Sequence, residues 1–220
     1  MRILNLYAGI GGNRKLWGDE HEITAVEYDP KIAAIYSDFF PNDTMIITDA
    51  HAYLLEHFGE FDFIWSSPPC PTHSKITLSN HISPYKDNSV QLANGGGIQP
   101  RYPDMQLYQE IIFLTHFYKG SWCVENVVSY YEPLIRPYEI NSHFFWSNFY
   151  IPKIKTLASR LHNQPKQKAE MMGFDFERIT VPNKRKIINN CVEPETGLHI
   201  LQAAGHLKEI APIHKQGALL

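Results

Sequence analysis

The sequence predicts a doubly wound α/β domain built on a mostly parallel sheet. Three observations carry this reading. Short apolar runs alternate with stretches of helical period, as in successive βα units. A glycine turn, Tyr7-Ala8-Gly9-Ile10-Gly11-Gly12, follows the first apolar run directly. An acidic residue, Glu27, closes the second run close to about twenty residues after those glycines.

Composition bounds the answer. With 220 residues, 44% hydrophobic and 20% charged, the chain suits one α/β domain, alone or with a small appendage. No stretch has the apolar length of a membrane span, so no membrane partner is expected. Met1 leads into a strand pattern and not a signal peptide, so a cytoplasmic location is expected. Cys70, Cys123 and Cys191 are odd in number and widely spaced. That spacing fits neither a disulfide framework nor a zinc site, so reduced thiols and no metal are expected.

The elements follow in order. Arg2 to Tyr7 reads as a strand, and Arg14 to Trp17 as the start of a helix after the glycine turn. Glycine there lets backbone come close to a nucleotide-like ligand. Glu22 to Val26 is the second strand, and its terminal Glu27 sits where an acidic residue accepts hydrogen bonds from ribose hydroxyls. Pro30 opens a helix over Lys31 to Phe40, with Ile32, Ile35, Tyr36 and Phe39 on one face. Met45 to Ile47 is a third strand. Asp49 after it is placed for an adenine amino group, or caps the helix at His51 to Phe58, or does both.

Phe61 to Trp65 is the fourth strand. It stops at Ser66-Ser67-Pro68-Pro69-Cys70, so that two prolines display a lone cysteine on rigid extended backbone. An inert buried thiol is the plain alternative. Thr72 to about Pro103 is polar, punctuated and without period, the kind of long segment that is functional or a lid. Asp104 to Tyr118 reads as a helix with Leu107, Ile111, Leu114 and Phe117 on its apolar face. Trp122 to Val124 is a fifth strand ending in Glu125-Asn126-Val127. Groups at the carboxyl ends of parallel strands converge on one crevice, which makes Cys70 and Glu125 expected neighbours. A buried glutamate with its pKa raised by desolvation is suited to act as a proton donor or as a hydrogen-bond partner.

Charge is unevenly spread. Residues 151–190 hold nine basic and three acidic residues, +6, which leaves −9 for the rest of a chain whose net charge is −3. A local positive face on an acidic body suits a polyanion such as nucleic acid, with solvated surface lysines as the plain alternative.

Together these segments resemble the cytosine-C5 methyltransferase family, in the family's motif order from residue 1 to about residue 204. The aromatic-glycine turn is Tyr7 to Gly12, the acidic strand end is Glu27, and the later aspartate is Asp49. Pro68-Pro69-Cys70 is similar to the nucleophile motif and Glu125-Asn126-Val127 to the Glu-Asn-Val motif. Asn189-Asn190-Cys191-Val192-Glu193-Pro194 is similar to the segment that leads into a last helix, here Leu198 to Ala204. Two departures stand out. Where the family carries an Arg-x-Arg pair this chain has Asn141 and His143, and its recognition region is reduced to residues 151–185.

The resemblance implies a Rossmann-like, S-adenosylmethionine-dependent methyltransferase fold with a very small C-terminal recognition segment. Residues 1–150 would form the catalytic and cofactor-binding domain, 151–186 the basic segment, and 187–220 the C-terminal motif and its helix. It implies S-adenosylmethionine held by Tyr7, Gly9, Gly11, Glu27, Tyr28, Asp49, Pro68, Asn190 and Val192. Cys70 takes the role of thiolate adding to cytosine carbon 6, Glu125 holds the ring, and His143 stands in for the missing arginine. Pro69, Asn126 and Val127 line the base site, while Lys184 and Arg185 meet phosphates. The expected partner is DNA, duplex, with the target nucleotide flipped and the Thr72 to Pro103 segment closing over it. The implied protein is a prokaryotic or phage enzyme of restriction-modification type. A partner subunit supplying sequence recognition stays open. So do the same chemistry on RNA, single-stranded DNA or a nucleotide, and an inactive DNA-binding or regulatory protein of this fold.

Overall fold

The computed structural model describes residues 1–74, 103–154 and 164–205. Seven strands form one sheet: β1 Arg2–Leu6, β2 Glu22–Glu27, β3 Thr44–Ile47, β4 Phe63–Ser66, β5 Ser121–Val127, β6 Tyr138–Ile140 and β7 His143–Ser147. Their order is β3-β2-β1-β4-β5-β7-β6. The first five strands are parallel, while β7 runs antiparallel to β5 and β6 antiparallel to β7. The helices are α1 Pro30–Phe39, α2 Ala50–His57, α3 Gln106–Phe117, α4 Pro165–Met171, α5 Lys184–Asn190 and α6 Pro194–Gly205.

Alternation along β1 explains why both faces are covered. Leu4 and Leu6 pack with Leu54 of α2 and with Leu107, Ile111 and Leu114 of α3. Ile3, pointing the other way, packs with Trp17, Phe63, Trp65 and with Ile200 and Leu201 of α6. A third cluster joins Ile35 and Tyr36 of α1 to Ala169 of α4, Met172 and Ile188 of α5. The described part of the basic segment thus shares a core with the glycine turn and α1. This is the doubly wound, mostly parallel α/β fold that the sequence pattern predicts. Strand order reverses between β1 and β4, and the crevice outside their carboxyl ends is where such sheets bind ligands. The glycine turn follows β1 and Cys70 follows β4, so both expected sites lie at that point.

Two expectations are corrected. Residues Arg14 to Trp17 form successive turns and no helix, with Lys15 N–H donating to Gly12 and Trp17 N–H to Arg14. Gly11 and Gly18 on either side have φ +83 and +81, outside the helical region. Arg14 is buried there and bonds Asp43 at 2.8 Å, tying the turn to the loop before β3. The second correction is the β6–β7 hairpin, which the pattern did not suggest. Its two-residue turn, Asn141-Ser142, has φ +50 and +69, as a tight hairpin turn requires.

Gly11 is a packing glycine. A Cβ there would overlap the Phe40 ring and lie 2.9 Å from that of Tyr36. Gly11→Ala is therefore expected to lower stability by about 2–4 kcal/mol, through backbone strain and overpacking, as a loss of urea midpoint with unchanged slope. A variant as stable as the unaltered protein would contradict this packing.

Among the described residues no helix is long and apolar enough to cross a membrane, and no cluster of His, Cys, Asp and Glu could hold a metal ion.

Candidate active site

Cys70 lies four residues past β4. Asn126 Nδ2 donates to the Pro68 carbonyl at 3.0 Å, which pins the Pro-Pro-Cys loop to the carboxyl end of β5. His73 and Ser74 N–H groups donate to the Cys70 carbonyl at 3.0 and 3.1 Å and curl the chain behind it. The thiol is half-buried. Burial, then the nearby Glu125 charge, push its pKa up, and the Lys186 charge pulls it the other way. The resting site does not lower the thiol, so attack requires a proton acceptor or a change on substrate binding.

Glu125 is 7% exposed, inside β5. The β5–β7 register sets Glu125 opposite Phe145 and Val127 opposite His143. Glu125 and His143 are thus diagonal neighbours on one face of the sheet. His143 Nδ1 sits 2.6 Å from Glu125 Oε1. Burial alone would lower the imidazole. The hydrogen bond and charge of Glu125, with Glu193 behind it, raise it above its ordinary value. Lys168 of α4, also buried, acts against that rise. Asn141 does not share this site: its side chain donates to Thr196 Oγ at 3.3 Å at the start of α6.

On the other side of the crevice Gly9 has φ +56, and no described residue comes within 4 Å of where its Cβ would be. Its N–H donates to Glu27 Oε2 at 3.0 Å, and Asp29 N–H donates to Oε1 at 3.0 Å. Each oxygen keeps acceptor capacity for a diol. Asp49 is the N-cap of α2, accepting from Ala52 N–H at 2.8 Å. The capping alternative is therefore realised, and its exposed carboxylate still borders the crevice. Tyr28 is 76% exposed beside Glu27. Gly12 packs so tightly on the C-terminal motif that a Cβ would lie 2.6 Å from the Val192 carbonyl and 2.8 Å from Cys191 Cβ. That contact brings Val192, and exposed Asn190 before it, to the glycine turn. Pro68 is buried and Pro69 exposed beside Cys70.

The basic segment serves the fold more than charge counting suggests. Arg178 bonds Asp38 at 2.7 Å. Lys184 donates to the Phe176 carbonyl at 3.2 Å and lies over the Phe176 ring, and Lys168 is buried. Arg185 and Lys186 are exposed on α5. Lys186, whose charge reaches Cys70, was not singled out by the sequence pattern. The segment expected to close over the base lies largely at 75–102, outside the described residues.

The model of the C-5 cytosine-specific DNA methylase family matches residues 1–89, from the glycine turn through Cys70. Over those residues the chain is similar to the cytosine-C5 methylases. A tRNA (cytosine(38)-C(5))-methyltransferase from Rattus norvegicus is 28% identical over 95 residues, 40% of this chain. The aligned stretch spans 24% of that relative's length. Among solved structures, a DNMT2 variant from Spodoptera frugiperda is 25% identical with a TM-score of 0.35, over 57% of this chain and 35% of that one. The Entamoeba histolytica methyltransferase EhMeth is 14% identical with a TM-score of 0.36, over 58% and 38%. The cofactor of cytosine-C5 methylases is S-adenosylmethionine, and the face of Gly9 beside the Glu27 carboxylate fits its adenosine.

Proposed function

We propose that the protein methylates carbon 5 of cytosine in nucleic acid, with duplex DNA as substrate. The observation that carries this reading is the join of Pro68-Pro69-Cys70 to Glu125-Asn126-Val127 through the Asn126 to Pro68 hydrogen bond. Nucleophile and ring-holding carboxylate then work on one base.

Glu27 would hold the ribose of S-adenosylmethionine, with Asp49 toward the adenine and Val192 and Asn190 toward the methionine end. When bound, the cofactor supplies an electrophilic methyl group. Carbon 5 of an aromatic cytosine is a poor nucleophile, and addition of the Cys70 thiolate at carbon 6 makes it enamine-like. As the thiolate adds, electron density collects on ring N3, which takes a proton. A carboxylate alone offers only lone pairs. The His143 proton, shared with Glu125 Oε1, gives Glu125 something to donate: it passes through the carboxylate to N3 while Glu125 accepts from the exocyclic amine. After methyl transfer, N3 returns its proton to the Glu125–His143 pair, the carbon 5 proton leaves to water, and expulsion of the thiolate restores the ring. Because the target carbon is stacked inside a duplex, the nucleotide is flipped out, and Arg185 and Lys186, both exposed on α5, would meet its phosphates.

RNA is the second reading, and the match to a tRNA cytosine methyltransferase favours it. The purified chain, labelled S-adenosylmethionine and equal amounts of duplex DNA, single-stranded DNA and transfer RNA decide between them. Label on cytosine of the duplex is expected. Label on transfer RNA alone replaces DNA by RNA, and no label on any nucleic acid removes the proposal.

A further inference from the structure

One carboxylate beneath the crevice has no part in the chemistry above. Glu110 of α3 is fully buried. It lies on the stripe of Leu107, Ile111 and Leu114, where the helical period calls for an apolar residue. Its Oε1 accepts from Tyr7 Oη at 2.6 Å and lies 3.1 Å from His51 Nδ1, and its Oε2 accepts from Ser66 Oγ at 2.5 Å. These three partners are not a random sample of the core. Tyr7 opens the glycine turn, and His51 lies two residues past Asp49 in the first turn of α2. Ser66 ends β4, four residues before Cys70. Each therefore sits on a different wall of the cofactor crevice.

Tyr7 adopts φ +55, uncommon for a residue with a Cβ, and such backbone persists only where its surroundings hold it. Here the hold is the phenol bonded to Glu110. A buried carboxylate costs more than an apolar side chain of similar size unless fully bonded, so stability alone does not account for it.

We propose that Glu110 is a positioning residue for cofactor binding, fixing Tyr7, the first turn of α2 and Ser66 relative to one another, with His51 as its ionic partner. The inference rests on the S-adenosylmethionine reading above. Among the described residues, the charged and titratable groups facing this cluster are Glu110, Asp49 and Asp104 on the acidic side, the Tyr7 phenol, and His51. The hydrogen bond to Glu110, helped by the charges of Glu110 and Asp49, raises His51 despite its partial burial. A raised histidine holds its proton below its ordinary value and loses it as pH climbs through the raised one. The pairing therefore weakens on the alkaline side.

The test is calorimetric binding of S-adenosylmethionine to the full chain, alongside steady-state kinetics, between about pH 6 and 9. Glu110→Gln is expected to raise both Kd and KM for the cofactor about tenfold while kcat changes by less than about threefold. Tyr7→Phe, which keeps the ring and loses the hydroxyl, is expected to weaken binding less, and Glu110→Asp to recover part of the loss. The unaltered protein should bind more weakly as pH rises, and His51→Gln should lack that dependence. Unaltered affinity in both Glu110→Gln and Tyr7→Phe overturns the inference, as does one pH profile shared by the unaltered protein and His51→Gln. Absence of cofactor binding by the unaltered protein overturns the proposed function, and this inference with it.

Discussion

Cys70→Ala is expected to abolish methyl transfer, a loss of at least about 10⁴-fold, with the fold and cofactor binding retained. The expectation rests on two features. First, the chemistry needs a nucleophile at carbon 6, since without it carbon 5 carries no enamine character and the methyl group has nothing to attack it. Second, neither other thiol is placed to substitute. Cys123 is fully buried inside β5 and pushed well above the ordinary thiol value by that burial. Cys191 is pushed up to about 12, mainly by burial, and its Sγ donates to the Ile187 carbonyl at 3.3 Å. Covalent capture on a nucleic acid containing 5-fluorocytosine, read on a denaturing gel, separates this cleanly, because loss of the carbon 5 proton is blocked and the adduct persists. The unaltered protein should be captured in the presence of cofactor and Cys70→Ala should not. Equal label transfer by both proteins removes Cys70 from the reaction.

The parts of this site that a linear reading reaches are those where one short stretch carries the signal. Pro68-Pro69-Cys70 announces itself because proline restricts backbone locally, and the glycine turn because close approach forbids a Cβ. Glu27, which ends β2, and Glu125, two residues before the end of β5, follow from alternation and position alone. What stays hidden depends on register between distant segments. The pairing of His143 with Glu125 exists because β7 inserts antiparallel beside β5, and the sequence signal for that hairpin was weak: its turn is Asn-Ser, without the usual glycine. Glu110 was within reach, since a glutamate in an apolar helical stripe is a mismatch that asks for partners, yet its partners lie 103, 59 and 44 residues away. The basic segment misleads in the opposite direction. Counting its lysines and arginines gives +6, but Arg178, Lys184 and Lys168 spend their side chains on the fold.

His143→Gln is expected to lower the rate at neutral pH about 100-fold and to change the shape of the pH profile. In the unaltered protein the reactive form has two requirements: a thiolate on Cys70 and a proton shared by His143 and Glu125. Both groups lie above their ordinary values, the thiol through burial and then Glu125, the imidazole through Glu125 and Glu193 against the effect of burial. The fraction of molecules meeting both requirements rises with pH as thiolate forms and falls as the imidazolium is lost. The product is a bell whichever group titrates first. Glutamine keeps a hydrogen bond to Glu125 but carries no titrating proton, so only the thiolate condition remains and the profile climbs to a plateau without an alkaline descent. Stability gives a second readout with its own sign. A histidine raised in the folded state contributes fully below its unfolded value of about 6.5 and loses that contribution as pH rises through the folded one. The difference in urea midpoint between the two proteins should therefore shrink as the solution is made alkaline. A bell retained in His143→Gln removes the proton from His143 and leaves the pair a structural contact between β5 and β7.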